Sequence, residues 1–261
     1  MDFQFKETYT ISDLLEIMRL LRAPDGCPWD RVQTHESIRK NFIEETYEVV
    51  DAIDKSDYDL MREELGDVLM QVIFHSLMEE EAGRFNFDDV CDEVCKKLIL
   101  RHPHVFGNVN AETPDEVLRN WDAIKMQSKS QKKIADSVDD VPRSLPALMR
   151  AQKVQKRSAK SGMDFKDAAD ASKKVEEELS ELRDAIASSD KKKQEEELGD
   201  LLFSVVNTAR FLDVDAEEAL TRSTDKFAKR FRNVEALAAA RGIDMKTAPM
   251  PLIDSLWEEV K

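Results

Sequence analysis

The stretch RKNFIEETYEVVDAIDKSDYDLMREELGD, residues 39–67, occurs again as SKKVEEELSELRDAIASSDKKKQEEELGD, residues 172–200. The copies align without a gap at an offset of 133, and about half of their positions are identical. Each copy reads as two helices: straight-chain residues dominate, and no run alternates β-branched with polar side chains as a strand would. The breaks at 55–57 and 188–190 are short enough to make the two helices of each copy antiparallel neighbours. A repeat of this length identifies two related helical units, so the fold class is all-α with tandem helical bundles.

The similarity continues outward more loosely. Lys97 and Arg101 have counterparts in Lys226 and Arg230 at the same four-residue interval, and WDAIK at 121–125 echoes WEEVK at 257–261. Between the units, QSKSQKKIADSVDDVPR at 127–143 is polar and lacks an apolar period. The expected division is an N-terminal domain at 1–126, a linker at 127–143 and a C-terminal domain at 144–261. Thr10 with Asp13, and Thr113-Pro114-Asp115-Glu116, read as helix starts. Further helices are expected at about 36–54, 58–82, 88–101, 145–161, 168–188, 191–212 and 215–241, with a short one after Pro251. The segment HPHVFGNVN at 102–110 reads as a loop.

With 39 basic and 54 acidic residues the chain carries a net charge of −15. That argues against a nucleic-acid polymer or an anionic membrane as the main partner. A single nucleotide remains compatible if a divalent cation stands between carboxylates and phosphates. The opening MDFQFKETYT has no basic region followed by an apolar run, and no apolar stretch approaches a membrane span. Cys27, Cys91 and Cys95 match neither a disulfide framework nor a zinc pattern, so they read as packing residues. The expected setting is cytoplasmic.

In each copy the first helix carries Glu-Glu-x-x-Glu and the second Glu-x-x-Asp. Residues three apart share a helix face, so Glu45 and Glu48 face Glu64 and Asp67, and Glu178 and Glu181 face Glu197 and Asp200. Four converging carboxylates form an all-oxygen site suited to Mg²⁺ or Mn²⁺. The plain alternative is a solvated acidic face. Against it, like charges at Glu44/Glu48, Glu63/Asp67 and Glu177/Glu181 each cost roughly 0.2–0.5 kcal/mol. Gly66 and Gly199 cost about 1 kcal/mol each inside helices, which a close helix contact or a ligand would explain. The same acids also recur at the same spacing while their neighbours differ. A di-iron centre is a weaker reading, because those sites use Glu-x-x-His and neither second helix offers histidine there. His75 lies two turns further on and reads as packing or solvent-facing.

The paired EExxE and ExxD helices, together with CPWD-x-x-QTH at Cys27–His35, resemble the MazG family, whose tandem two-domain form fits this chain nearly end to end. The resemblance implies an all-α homodimer that depends on Mg²⁺, with Mn²⁺ as a substitute, and hydrolyses ribo- and deoxyribonucleoside triphosphates to monophosphate and pyrophosphate. Unpaired apolar helix faces point to the homodimer as well. Carried onto this sequence, Glu178, Glu181, Glu197 and Asp200 hold the metal. Lys226, Arg230 and Lys174 meet phosphates, Trp257 encloses the nucleotide, and Glu177 is the general base or an outer-shell group. The first-domain equivalents are Glu45, Glu48, Glu64, Asp67, Lys97, Arg101 and Trp121. The resemblance makes the second domain the main catalytic one and the first weaker or regulatory.

Plainer roles stay open for several residues. Trp29 stacks on a base or fills the core, and Phe165 reads as core. Trp121 and Trp257 anchor a dimer or contact the ligand. His102 and His104 read as solvent-facing, and the Lys/Arg pairs as phosphate contacts or surface residues. A nucleotide-binding regulatory module without turnover, and an enzyme narrow for one deoxynucleotide, are the competing functions.

Overall fold

The computed structural model describes residues 3–128 and 134–261, with the side chains at 115, 122 and 125–128 left aside. Every regular element among them is helical, and none of the helices is long and apolar enough to cross a membrane. The chain forms two compact units that divide between Lys125 and Met126, in the last turn of a helix.

The first unit contains α1 (Ile11–Arg22), α2 (Pro28–Arg31), α3 (Arg39–Lys55), α4 (Tyr58–Glu81), α5 (Phe87–Arg101), α6 (Pro103–Phe106) and α7 (Pro114–Ser128). Its starts follow the sequence signals. The Asp13 carboxylate accepts from the Thr10 N–H and hydroxyl, both at 2.8 Å, and Asn86 with Asp89 forms a reciprocal cap on α5. Leu14, Leu15 and Leu21 of α1 pack against a core of Met18, Ile38, Ile73, Phe74, Leu77 and Met78. Burying side chains of this size contributes about 1.5–3 kcal/mol apiece. The expected loop after Arg101 instead opens with α6, because Pro103 presets the first helical turn.

The second unit contains α8 (Ile134–Asp139), α9 (Ala147–Ser158), α10 (Ala168–Ser188), α11 (Lys191–Phe211), α12 (Ala216–Ala240) and α13 (Met250–Glu259). A 3-10 turn at Ala159–Ser161 follows α9. Asp167, Asp190 and Asp215 cap α10, α11 and α12 through their side chains. Val234, Ala238 and Leu256 form a small core onto which Trp257 packs. Of the segment read as a linker, residues 129–133 lie outside the described residues, and α8 occupies part of the rest. The buried Val141, and a hydrogen bond from the Arg157 guanidinium to the Ser137 carbonyl, hold that part against α9. Gly83 and Gly242 take positive φ, 70° and 66°, just beyond α4 and α12, where a side chain would be strained.

Candidate functional site

Each acid pair depends on a tight reversal between two long helices. Ser56 (φ 54°) and Ser189 (φ 58°) take the left-handed conformation. Asp57 then accepts from Leu60 N–H at 3.1 Å, and Asp190 from Lys192 and Lys193 N–H at 3.0 and 3.2 Å, restarting the chain as α4 and α11. Two-residue connections of this kind lay α3 along α4 and α10 along α11.

In the second unit, oxygens of Glu178, Glu197 and Asp200 lie within 4.8 Å of one another. Glu178 and Glu197 are only 5% and 8% exposed. Glu181 is outside this triplet. Burial raises its pKa above the usual carboxylate range, and the charges of Glu197 and Glu178 add to that. In the first unit the triplet is Glu45, Glu48 and Glu64, with Asp67 outside it. Burial and then the charges of Asp67, Glu48 and Glu64 raise the Glu45 pKa; burial, Glu48 and Asp67 raise that of Glu64. Each site therefore brings three of its four expected acids together and leaves the fourth within electrostatic range. Carboxylates sharing partly buried space repel one another unless a cation joins them. A hard divalent ion bonds oxygens at about 2.0–2.6 Å, so it would span either triplet, and the donor set fits it.

The second unit supplies a cation from its own chain. Lys174 Nζ lies 2.7 Å from Glu177 Oε1 and 2.7 Å from Glu178 Oε1. These two contacts raise the lysine pKa, Glu177 contributing most. The sequence reading assigned Lys174 to phosphate; here it holds the exposed Glu177 beside the buried Glu178. Among the described residues, Lys226 and Arg230 on α12 form no hydrogen bond or ion pair with these acids. Trp257 on α13 meets Phe227 of α12 with ring centres 5.2 Å apart. In the first unit the Arg101 guanidinium stands 5.2 Å from the Trp121 ring, its Nε buried without a partner, while Lys97 is exposed beside Phe85 and Glu93.

Several residues differ from their sequence readings. Trp29 is 56% exposed, so it does not fill the core of its unit. Phe165 is also part-exposed, at the wall of a cavity. His102 and His104 are half-buried rather than solvent-facing, because the His102 ring packs 4.9 Å from Trp121. Nothing lies within 4 Å of a Cβ built on Gly66 or Gly199, so no close helix contact within the chain explains them. The three cysteines are free thiols, and Cys95 is exposed.

One cluster was not anticipated. His35 Nδ1 lies 2.7 Å from His75 Nδ1 with the rings parallel, and His35 Nε2 lies 2.6 Å from Glu79 Oε1. Arg84 Nη2 donates to the same carboxylate oxygen at 2.6 Å, and Arg84, then His35, hold the Glu79 pKa at about 2. The available signal was the His35 of QTH, but its partners lie some forty residues away and only packing brings them together.

With this geometry in place, similarity to known proteins identifies its setting. Residues 33–106 and 155–235 match the MazG nucleotide pyrophosphohydrolase domain, so the match occurs once in each unit. Over 256 residues, 96% of this chain and 97% of the relative, the sequence is 48% identical to the nucleoside triphosphate pyrophosphohydrolase of Escherichia coli K12. It is 44% identical over 249 residues to the nucleoside triphosphate pyrophosphohydrolase/pyrophosphatase MazG of Thermotoga maritima, covering 95% of this chain and 94% of that one. A nucleoside triphosphate pyrophosphohydrolase of Mycolicibacterium smegmatis is 43% identical over 153 residues, 58% of this chain and 46% of the relative.

Proposed function

The chain belongs to the MazG family of nucleotide pyrophosphohydrolases and is a nucleoside triphosphate pyrophosphohydrolase; from that premise we propose that the acid cluster of its second unit binds Mg²⁺, or Mn²⁺ in its place, and is the main catalytic centre. The observation that carries this reading is the convergence of Glu178, Glu197 and Asp200 within 4.8 Å, two of them almost fully buried. Glu181 would complete the set of residues that hold the metal.

A divalent cation there supplies charge neutralisation for the triphosphate and lowers the pKa of a nearby water. Glu177, on the solvent side of Glu178, takes the proton of the attacking water. The water oxygen forms a bond to the α-phosphorus, the bond from that phosphorus to the bridging oxygen breaks, and pyrophosphate leaves. Lys174, which now pairs with Glu177 and Glu178, would turn its ammonium to a phosphate where those acids hold a cation. Lys226 and Arg230, whose side chains form no hydrogen bond or ion pair among the described residues, meet the leaving phosphates, and Trp257 closes over the nucleotide. The substrates are ribo- and deoxyribonucleoside triphosphates broadly, as suits nucleotide-pool housecleaning or a stress response in the cytoplasm. The first unit, with Glu45, Glu48, Glu64, Asp67, Lys97, Arg101 and Trp121, is the weaker or regulatory copy.

The working form is a homodimer. Leu179 and Ile186 of α10, with Leu198, Leu202 and Val205 of α11, leave a run of apolar side chains exposed beside the acid-bearing pair. A second copy covers it. A concentration-independent monomer in sedimentation would overturn this.

Phosphorus NMR of each deoxynucleoside triphosphate with the protein and Mg²⁺ tests the reaction. Monophosphate and pyrophosphate appear, and both disappear with chelator or in Glu178→Ala. Orthophosphate as the first product would mean a different bond is cut. An unchanged rate in Glu177→Gln would remove that residue from the proton transfer.

A further inference from the structure

The seam between α9 and α11 of the second unit is incompletely filled. Where it meets α8 there is a cavity of about 420 Å³, within the ~300–1,000 Å³ range usual for small-ligand sites. Its α9 wall is made by Ala147, Ala151 and Val154, and its α11 wall by Gly199, Leu202 and Phe203. The corresponding seam of the first unit, between α1 and α4, is packed. There Leu14, Leu15, Met18 and Leu21 of α1 share one cluster with Met70 and Ile73 of α4, which align with Phe203 and Val206. Short side chains on α9 and a glycine on α11 therefore leave open in one unit what the other closes. Nothing lies within 4 Å of a Cβ built on Gly199.

The charge around this opening is positive on balance. From Arg143 to Met163 the chain carries six cationic side chains and no carboxylate, within a protein of net charge −15. Two of the six, Arg143 and Arg150, line the cavity, and both are exposed. Among the described residues neither forms an ion pair with a carboxylate. Asp139 is also on the rim and offsets one of the two charges. Arg150 shares a face of α9 with Ala147, Ala151 and Val154 at spacings of three, one and four residues, which puts cation and apolar wall side by side. Guanidinium groups fork onto carboxylate or phosphate oxygens through paired hydrogen bonds. The apolar wall beside them takes hydrocarbon.

We propose that this cavity is a second ligand site, for a small amphipathic anion whose carboxylate or phosphate is held by Arg143 and Arg150 and whose apolar part lies between α9 and Phe203. The site is separate from the acid cluster and stands whether or not those acids hold a metal. Glu197 is buried with the acids of α10, whereas Gly199 is about 200° further round α11, on the side that faces the cavity. A free small molecule fits better than a lipid surface. Membranes are entered by apolar side chains that project, and here the apolar surface is recessed between two helices. Leu202 belongs both to this cavity and to the apolar run that a second copy covers, so binding is measured at two protein concentrations.

Calorimetry of the metal-free chain with octyl phosphate and octanoate tests this. At least one of the two binds at one site per chain, and the tighter identifies the head group as phosphate or carboxylate. Inorganic phosphate and octanol bind at least about tenfold more weakly, since each supplies only one half of the interaction. Shortening the alkyl chain from octyl to hexyl to butyl lowers affinity about two- to fourfold per methylene. Arg143→Gln and Arg150→Gln each weaken binding about tenfold and leave pyrophosphate release unchanged. Gly199→Leu, which puts a side chain into the cavity, abolishes binding while far-UV circular dichroism stays that of wild type. Loss of binding in Lys226→Gln, with none in the arginine variants, would place the probe at the nucleotide centre and overturn the proposal. Equal affinity for octanol would overturn the role of the arginines. Binding that disappears as the chain associates at the higher concentration would give the cavity to a second copy. Arginine-dependent cosedimentation with phosphatidylglycerol vesicles, without binding of either free probe, would give it to a membrane.

Discussion

Set side by side at the offset of 133, α4 and α11 share Glu64-Leu65-Gly66-Asp67 and Glu197-Leu198-Gly199-Asp200, yet diverge above them. Phe74, His75, Leu77 and Glu79 stand where the second unit has Asn207, Thr208, Arg210 and Leu212. The first unit uses that end of its helix for a close-packed core joined to a histidine cluster. The second leaves an amide-lined cavity there. One turn before the acids, the first unit has Asn41 and the second Lys174, which binds Glu177 and Glu178. Duplication copied the carboxylates; what changed afterward is the neighbouring charge and the space beside it. The acids alone therefore do not say which unit works on nucleotide.

The largest expected difference is catalytic. Glu178→Ala lowers pyrophosphate release by on the order of 10²–10³-fold, whereas Glu45→Ala changes it by less than about threefold. Steady-state rates of the two variants decide this, and equal losses would erase the distinction between the units.

Next is pH. Burial, and then His35, lower the His75 pKa below its ordinary 6.5. A histidine depressed in the folded state binds its proton more readily when unfolded, so its contribution is present above pH 6.5 and declines as pH falls below it. Two Nδ1–H groups also cannot face each other at 2.7 Å. Melting of the first unit should accordingly fall from pH 7 to pH 5 with a slope below ~1.4 kcal/mol per pH unit, since His75 is half-exposed. His75→Phe flattens that slope; an unchanged slope would assign it to other groups. The raised carboxylates act in the opposite sense. Glu45 and Glu64 favour folding when protonated and lose that contribution as pH rises, so a metal-free melt of Glu45→Gln at pH 7 lies above wild type.

A smaller test exchanges the flanking residue. Asn41→Lys brings to the first unit the cation that Lys174 supplies to the second, raising its metal-free melting temperature by about 2–4 °C. It also weakens Mg²⁺ binding there by calorimetry. No change in either quantity would mean that the lysine does not compensate the acids. The least effect belongs to Gly66→Ala and Gly199→Ala. With open space beside both, each stabilises its helix by up to about 1 kcal/mol. A lowered melting temperature instead would show another surface closing on the glycine in the assembled protein.

How much was legible in advance depended on the range of the interactions. Thr10 with Asp13 marked a helix start, and the expected 168–188 coincides with α10, because caps and reversals are written within four or five residues. The i,i+3 spacing placed the acids on facing sides, since helix periodicity alone sets which residues share a face. The identity of the fourth, more distant acid in each set was not legible, nor was the Lys174 bridge, because side-chain rotamers and burial depend on neighbours outside the helix. The histidine pair and the cavity joining Gln155 to Asn207 were further out of reach. Their members are 40 and 52 residues apart, and no local pattern records such distances.

The sequence by itself determined the class of fold, the duplication and the eight carboxylates, because repetition, helical period and capping are properties of the chain read in order. Only the tertiary structure decided which three acids of each four converge, which unit carries a compensating lysine, and where an unpaired amide is left beside a cavity. Those outcomes depend on which surfaces are buried together, and burial is settled by the packing of helices that the chain keeps far apart.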